Sequence, residues 1–304
     1  MKRTCLHIFM LFIPLFGWAQ KNGTQYKEEG NLDSALMAYG MQYMKSPENA
    51  DNTYGLATVL ALQYQLDTAF YFLNQALKEN ASLLPLTDSD FLSLSNDPRW
   101  EQIEENQFRK YEAQNGKIKN TVYAKQLLRM IMIDQCLDYY IDQAKATFMK
   151  KGQIPHWYYP LGAYQQELIV NNFSEMKVLI QEYGWPTYSM VGELAADAPL
   201  LVINHHAETA VRKSYLSQIE NACRTGEGSC VEFAKIQDRI LVDEDKPQIY
   251  GMQFRYTAER SLAPFPIENP QYVDQRRKEI GLEPLKDYLK RKINYDWKVE
   301  QKNK

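Results

Sequence analysis

The chain has no GxSxG nucleophile elbow, no phosphate-cradling glycine loop and no GxGxxG fingerprint. The usual sequence signals of an α/β-hydrolase, a P-loop nucleotide enzyme and a dinucleotide-binding oxidoreductase are therefore missing. Histidine is scarce, with four in 304 residues, and no CxxC pair occurs. His205 and His206 are adjacent, so on a helix they project about 100° apart and cannot grip one ion as an HExxH pair does. No metal site and no cofactor are expected. Basic excess is also absent: 35 Lys and Arg stand against 38 Asp and Glu, a net charge of -3, which argues against a nucleic-acid partner. Beyond the N-terminus no apolar run is long enough to span a bilayer.

What is present is an ordinary globular composition, 45% hydrophobic and 24% charged, enough to bury a sizeable core in about two domains. The first residues differ. Lys2 and Arg3 precede an apolar run from Leu6 to Trp18, and Gly17 and Ala19 stand where a secretory signal peptide carries small residues. Cleavage is expected after Ala19, giving a periplasmic or secreted protein. That removes two positive charges and moves the net charge from -3 to -5. In an oxidising compartment Cys223 and Cys230 can form a local disulfide, because the glycines of the intervening RTGEGS loop let the chain fold back. Such a bridge would add about 2.5 kcal/mol; the alternative is two buried free thiols. Cys136, within a helical pattern, reads as a small core residue.

Residues 30–39, GNLDSALMAY, recur as YQLDTAFYFL at 64–73. This 34-residue period belongs to helix-turn-helix repeats. With Ala35, Tyr39 and Pro47 in one copy and Leu56, Ala57, Ala69 and Ala76 in the next, the region resembles tetratricopeptide repeats. The segment 82–100, with Phe91, Leu94 and Trp100, is expected to cap the open end. A boundary is placed at 118, giving a signal peptide at 1–19, a helical module at 20–118 and a second helical domain at 119–304.

The second domain is organised around Gly184–Glu208, which holds His205 and His206 in the most apolar helical run of the chain. Before it, one long helix is expected over 121–151, with Asp134 and Gln135 in its middle, then an aromatic loop of His156, Trp157, Tyr158 and Tyr159, then a helix at 162–182. The loop aromatics either pack or line a ligand face. After it come helices at 210–223 and 230–238, then a β-hairpin over about 239–257. Gly251 within the hairpin marks a place where something can approach the backbone closely. The tail 286–304 reads as a solvated helix with Leu285, Tyr288, Leu289 and Ile293 on one side. The fold class expected is mainly α, a repeat module followed by a helical domain with one β-hairpin.

GlyTrpPro at 184–186, ValGly at 191–192, HisAlaGlu at 206–208, AspArg at 238–239, ProGlnIleTyrGlyMetGln at 247–253 and ArgArgLysGluIleGlyLeuGluProLeu at 276–285 occur in order. On these motifs the region from about 121 to 293 resembles the family known as domain of unknown function 6624. The chain departs from that pattern at Met252, where threonine usually stands, and at His205, at a glutamine-like position. The resemblance implies a domain type and a set of pocket residues but no reaction.

Two functions follow. The first is a binding or scaffolding protein, with a protein or peptide partner at the repeats and a small polar ligand in a pocket around His206. The second is a periplasmic enzyme in which His206 is general acid or base and Asp238 orients it, since imidazoles titrate near neutrality. Arg239, Gln248, Tyr250 and Gln253 are the ligand-binding candidates. Each also has a structural reading: an Asp-Arg ion pair, a hydrogen-bonded core imidazole, and a glycine bulge.

Overall fold

The computed structural model describes residues 21–302, so the expected signal peptide lies outside the described residues. Asparagines open the first three helices, α1 (Gly23–Glu28), α2 (Leu32–Lys45) and α3 (Ala50–Leu62). The side chains of Asn22, Asn31 and Asn49 accept from backbone N–H groups three residues on, supplying acceptors that the first helical turn lacks. With α4 (Leu66–Ala76) they form one compact unit ending at Lys78. The Leu-Asp starts of α2 and α4 are 34 residues apart, 66 minus 32. Ala35, Ala57, Ala61 and Ala69 are fully buried, and their small side chains let neighbouring helices approach closely. Tyr39 fills the space left by two glycines. A Cβ on Gly23 would lie 2.6 Å from its ring, and one on Gly55 only 2.3 Å away.

The second unit begins at Glu79, well before residue 118. Residues 82–100 belong to this second unit. Phe91 and Leu94 are fully buried. The Gln107 amide, on α5 (Trp100–Asn115), donates to Asn80 O and Ser82 O at 3.1 and 2.8 Å. Arg129, on α6 (Thr121–Gln135), donates to Ser95 O at 2.6 Å and Asn96 Oδ1 at 2.7 Å. These polar anchors are long-range in sequence and therefore invisible to local periodicity.

The helix expected over 121–151 is two: α6 ends at Gln135 and α7 runs Asp138–Lys151. α6 is the core of the unit, burying Tyr123, Leu127, Leu128, Met130, Ile131 and Met132. It packs against α8 (Tyr158–Tyr183), α10 (Glu193–Ala196) and α11 (Ala198–His205), with α9 (Tyr188–Val191) preceding these last two. The 184–208 stretch is thus three short helices, broken at Gly192, whose φ of 86° suits glycine. Thr187 stands before α9, but its carbonyl, not its hydroxyl, receives the helical N–H groups of Met190 and Val191.

α12 (Thr209–Arg224) and α13 (Cys230–Asp243) form a hairpin joined by the Cys223–Cys230 disulfide. α13 continues through Ile240 because Phe233, Ile236 and Ile240 keep one buried helical face. This corrects the expected hairpin over 239–257. Its first half is helix, and the observed antiparallel pair is β1 (Phe254–Tyr256) with β2 (Leu262–Pro264), Arg255 opposite Ala263. Within the expected span only Phe254–Tyr256 is strand, and its partner lies beyond residue 257. α14 (Val273–Glu279) and α15 (Leu285–Ile293) follow, and Leu285, Tyr288 and Leu289 are buried as a single face.

Candidate functional site

Asp238 lies on the buried side of α13 and is fully excluded from solvent. Its carboxylate does not reach out to a histidine. Oδ1 accepts from Ile249 N (2.7 Å) and Tyr250 N (3.0 Å), and Oδ2 accepts from Tyr250 N (3.1 Å) and Met252 N (2.9 Å). The carbonyls of the same loop are bound from the other side: Arg276 donates to Ile249 O at 3.0 Å and Arg277 to Tyr250 O at 2.6 Å. Gln248 closes the loop below, donating to Gln253 O and Phe265 O and accepting from Gln253 N. Gln253 donates to Lys235 O at 2.9 Å, and the Tyr250 ring meets Phe233 edge-on.

The motif residues 238, 248, 250, 253, 276 and 277 therefore converge, but on backbone. Gly251, at φ 79°, lets the loop turn; a Cβ there would lie 2.5 Å from Leu285. The close approach expected at Gly251 is made by the protein's own α15. Burial pushes the Asp238 carboxyl up to about 6 against the pull of the backbone donors, and burial likewise lowers Arg277.

His206 lies apart from this knot. Its Nδ1 accepts from Glu208 N at 3.1 Å, and its ring packs on Phe173 with centroids 4.5 Å apart. Its carbonyl accepts from the buried Arg212, which donates to Asp243 Oδ2 at 2.5 Å and Thr209 Oγ1 at 3.1 Å. Arg239 is exposed and pairs with the same Asp243 at 3.0 Å. The structure joins His206 to Arg239 only through Arg212 and Asp243, and makes no hydrogen bond between His206 and Asp238. His156 is exposed. Of its aromatic neighbours, Tyr158 lines an apolar cleft with Phe148, Ile154 and Tyr256, while Tyr159 faces solvent.

The histidine with a carboxylate partner is His205. Its Nδ1 lies 2.8 Å from Asp134 Oδ2, the Asp134 side chain being 2% exposed and that of His205 35%. That bond is the main reason His205 holds its proton above the usual imidazole range, with the charges of Asp134, Asp138 and Glu232 adding to it against burial. A buried carboxylate on Nδ1 of a part-exposed imidazole can orient the ring for proton transfer. The pair is not among the residues that the sequence motifs single out. Its one local signal was Asp134 itself, a charge on the buried stripe of α6; the 71-residue separation of the partners hid the rest.

A third perturbed group is Asp197. Burial, with Glu232 and Glu193 nearby, pushes its carboxyl up to about 7, and its Oδ1 is buried without a hydrogen-bond partner. A carboxyl raised on folding holds its proton longer in the folded chain. Its stabilising contribution is complete below about 3.8 and is lost as pH rises to about 7. His205 acts in the same direction, since the benefit of its raised value is present below 6.5 and lost above, and Asp238 adds to the fall at lower pH. Urea unfolding should therefore show stability declining from about pH 4 to about pH 7, by at most about 1.4 kcal/mol per pH unit for each proton. Asp197→Asn should flatten the decline; an unchanged slope would refute the assignment.

Among the described residues no three His, Cys, Asp or Glu side chains are placed to hold a metal ion, and no helix is long and apolar enough to cross a membrane. The family model described as Family of unknown function (DUF6624) matches residues 156–300. The match contains the Asp238 knot, the disulfide and both histidines, and leaves out Asp134. No curated protein and no solved structure matches the chain.

Proposed function

We propose that this is an exported binding protein whose first unit is a tetratricopeptide-like module that docks an apolar face of a protein or peptide partner. One observation carries the reading. Met37, Met41 and Met44 form a stripe at i, i+4 and i+7 on α2, with 67%, 38% and 76% of their surface exposed. Methionine is flexible and polarizable and suits surfaces that adapt to apolar partners. Each one fully buried in a complex would contribute about 1.5–3 kcal/mol. Replacing all three by Glu should weaken a peptide selected from a displayed library by more than about tenfold while leaving the unfolding midpoint unchanged. Selections that yield no consensus, or a variant that binds equally well, would end the reading.

The Cys223–Cys230 bridge supports an oxidising compartment, as does the N-terminal pattern. The mature chain should begin at Gln20, which N-terminal sequencing of protein from the native host tests directly.

The His205–Asp134 pair favours a second reading, acid-base chemistry at His205. It moves the enzyme hypothesis away from His206, whose Nδ1 is occupied by a backbone N–H. Because Asp134 lies outside the matched region and 205 is the glutamine-like position, this chemistry would be particular to this chain. Asp134→Asn should lower the imidazole pKa of His205 in an NMR titration; no change would remove the pair from consideration.

A further inference from the structure

We propose that the Cys223–Cys230 disulfide is a reversible thiol-exchange site, entered by a small-molecule thiol through the surface pocket that both cysteines line. That pocket, of about 380 Å³, is walled by Arg224, Gly226, Glu279 and Ile280. The bridge thus stands in the wall of a surface hollow, with both of its residues contributing to the lining. The two cysteines are also unequal. Cys223 is 6% exposed at the end of α12, whereas Cys230 is half-buried and is the first residue of the fourteen-residue α13. Access therefore directs an incoming thiolate to Cys230, and the helix N-terminus favours release of the Cys230 thiolate in the second exchange.

The turn between the cysteines closes without the bridge. Thr225 N donates to Asn221 O, Gly226 N to Cys223 O and Glu227 N to Ala222 O, at 2.9–3.1 Å. Gly226 supplies the left-handed residue that such a turn requires, at φ 72°. Ser229 caps α13 by accepting from Glu232 N at 3.2 Å, and Glu227 is held by Tyr188 N and Ser189 N. Beneath, Ile219, Ala222, Phe233 and Ala234 are buried. Opening the bridge thus leaves a hairpin already fixed by backbone bonds and packing.

The chemistry balances with two external thiols. A thiolate attacks Sγ of Cys230, the S–S bond breaks, and its electron pair passes to Cys223 Sγ, which takes a proton from solvent. A second thiol attacks the sulfur that the first brought in, releasing the external disulfide and the Cys230 thiolate. Two thiols are oxidised and one disulfide is reduced.

The full chain would be equilibrated in graded mixtures of reduced and oxidised glutathione, quenched with iodoacetamide and mapped by mass spectrometry. Both cysteines should become alkylated without denaturant, with circular dichroism at 25 °C unchanged and the unfolding midpoint lowered by roughly 5–10 °C. In Cys223→Ser, oxidised glutathione should cap Cys230 at least about tenfold faster than Cys136, whose thiol is pushed up by burial and by Asp138 and Asp134. The proposal is overturned if the bridge is reduced only as the chain unfolds, or if Cys230 reacts no faster than Cys136.

Discussion

An Asp238→Ala chain is expected to lose roughly 3–6 kcal/mol of stability, since the buried N–H groups of Tyr250 and Met252 and the part-buried one of Ile249 lose their acceptor and each costs about 1–3 kcal/mol unpaired. Against the roughly 5–15 kcal/mol that holds a domain folded, such a variant sits at the edge of folding. Asp238→Asn should lose less, about 2–3 kcal/mol, because its one oxygen still serves part of the loop while its NH2 meets a backbone donor. A residue that merely oriented a histidine would show the opposite pattern, with activity lost and stability kept. Urea denaturation with the His206→Ala chain alongside separates the two. The histidine variant gives up one backbone hydrogen bond and a ring contact, and should fall by only about 1 kcal/mol. A destabilisation of Asp238→Ala below about 1 kcal/mol would show that the loop finds other acceptors.

This distinction bears on what was legible in the sequence. The structure brings Asp238, the GlnIleTyrGlyMetGln loop and ArgArg at 276–277 together, and leaves Arg239 outside, paired with Asp243. Polar residues in fixed order suggest a pocket, yet the groups they satisfy are backbone donors and acceptors of the 249–253 loop and of Lys235 and Phe265 beside it. Sequence can show that a carboxylate, an amide and a guanidinium are present, but not whether their partners are ligand atoms or peptide groups. The helical periodicity of 121–151 was readable residue by residue; the break at Cys136–Leu137 was not, because neither proline nor glycine marks it. Residues 239–242 are helix rather than the start of a hairpin because a short β-branched and leucine run has no period of its own, and the preceding Phe233 and Ile236 decide its conformation. Arg129 and Gln107 fasten residues 80–96 to helices that follow them, links that local periodicity does not carry.

Chemistry followed the same division. His206 attracted attention as part of a motif, while His205 formed the hydrogen bond to a buried carboxylate across 71 residues. Asp134 carries the general lesson: an acid on the apolar stripe of a helix must find a partner when that stripe is buried, and the search for it should extend over the whole chain.

Gly55→Ala is the variant on which local and tertiary physics disagree in sign. Gly55 lies inside α3, where alanine is about 1 kcal/mol better than glycine by helix propensity, so an isolated view forecasts a gain. Here the new Cβ would stand 2.3 Å from Cε1 and 2.4 Å from Cζ of Tyr39. The ring cannot simply retreat, because on its far edge a Cβ at Gly23 would already be 2.6 Å away, and its hydroxyl is hydrogen-bonded to Thr24 Oγ1 at 2.8 Å. Inserting atoms into packing of this kind costs about 1–3 kcal/mol, sometimes more, and displacing a ring held from two sides belongs at the upper end. The net expectation is a loss of about 1–3 kcal/mol in the first unit. A second substitution locates the cause. Tyr39→Leu alone should be destabilising, since it empties a buried aromatic site, but in the Gly55→Ala background it removes the clash, so the two changes should couple favourably by at least about 1 kcal/mol. Additive losses would mean that the ring moves freely and that the glycines are not what seats it; a stabilised Gly55→Ala single variant would mean that helix propensity outweighs packing at this position.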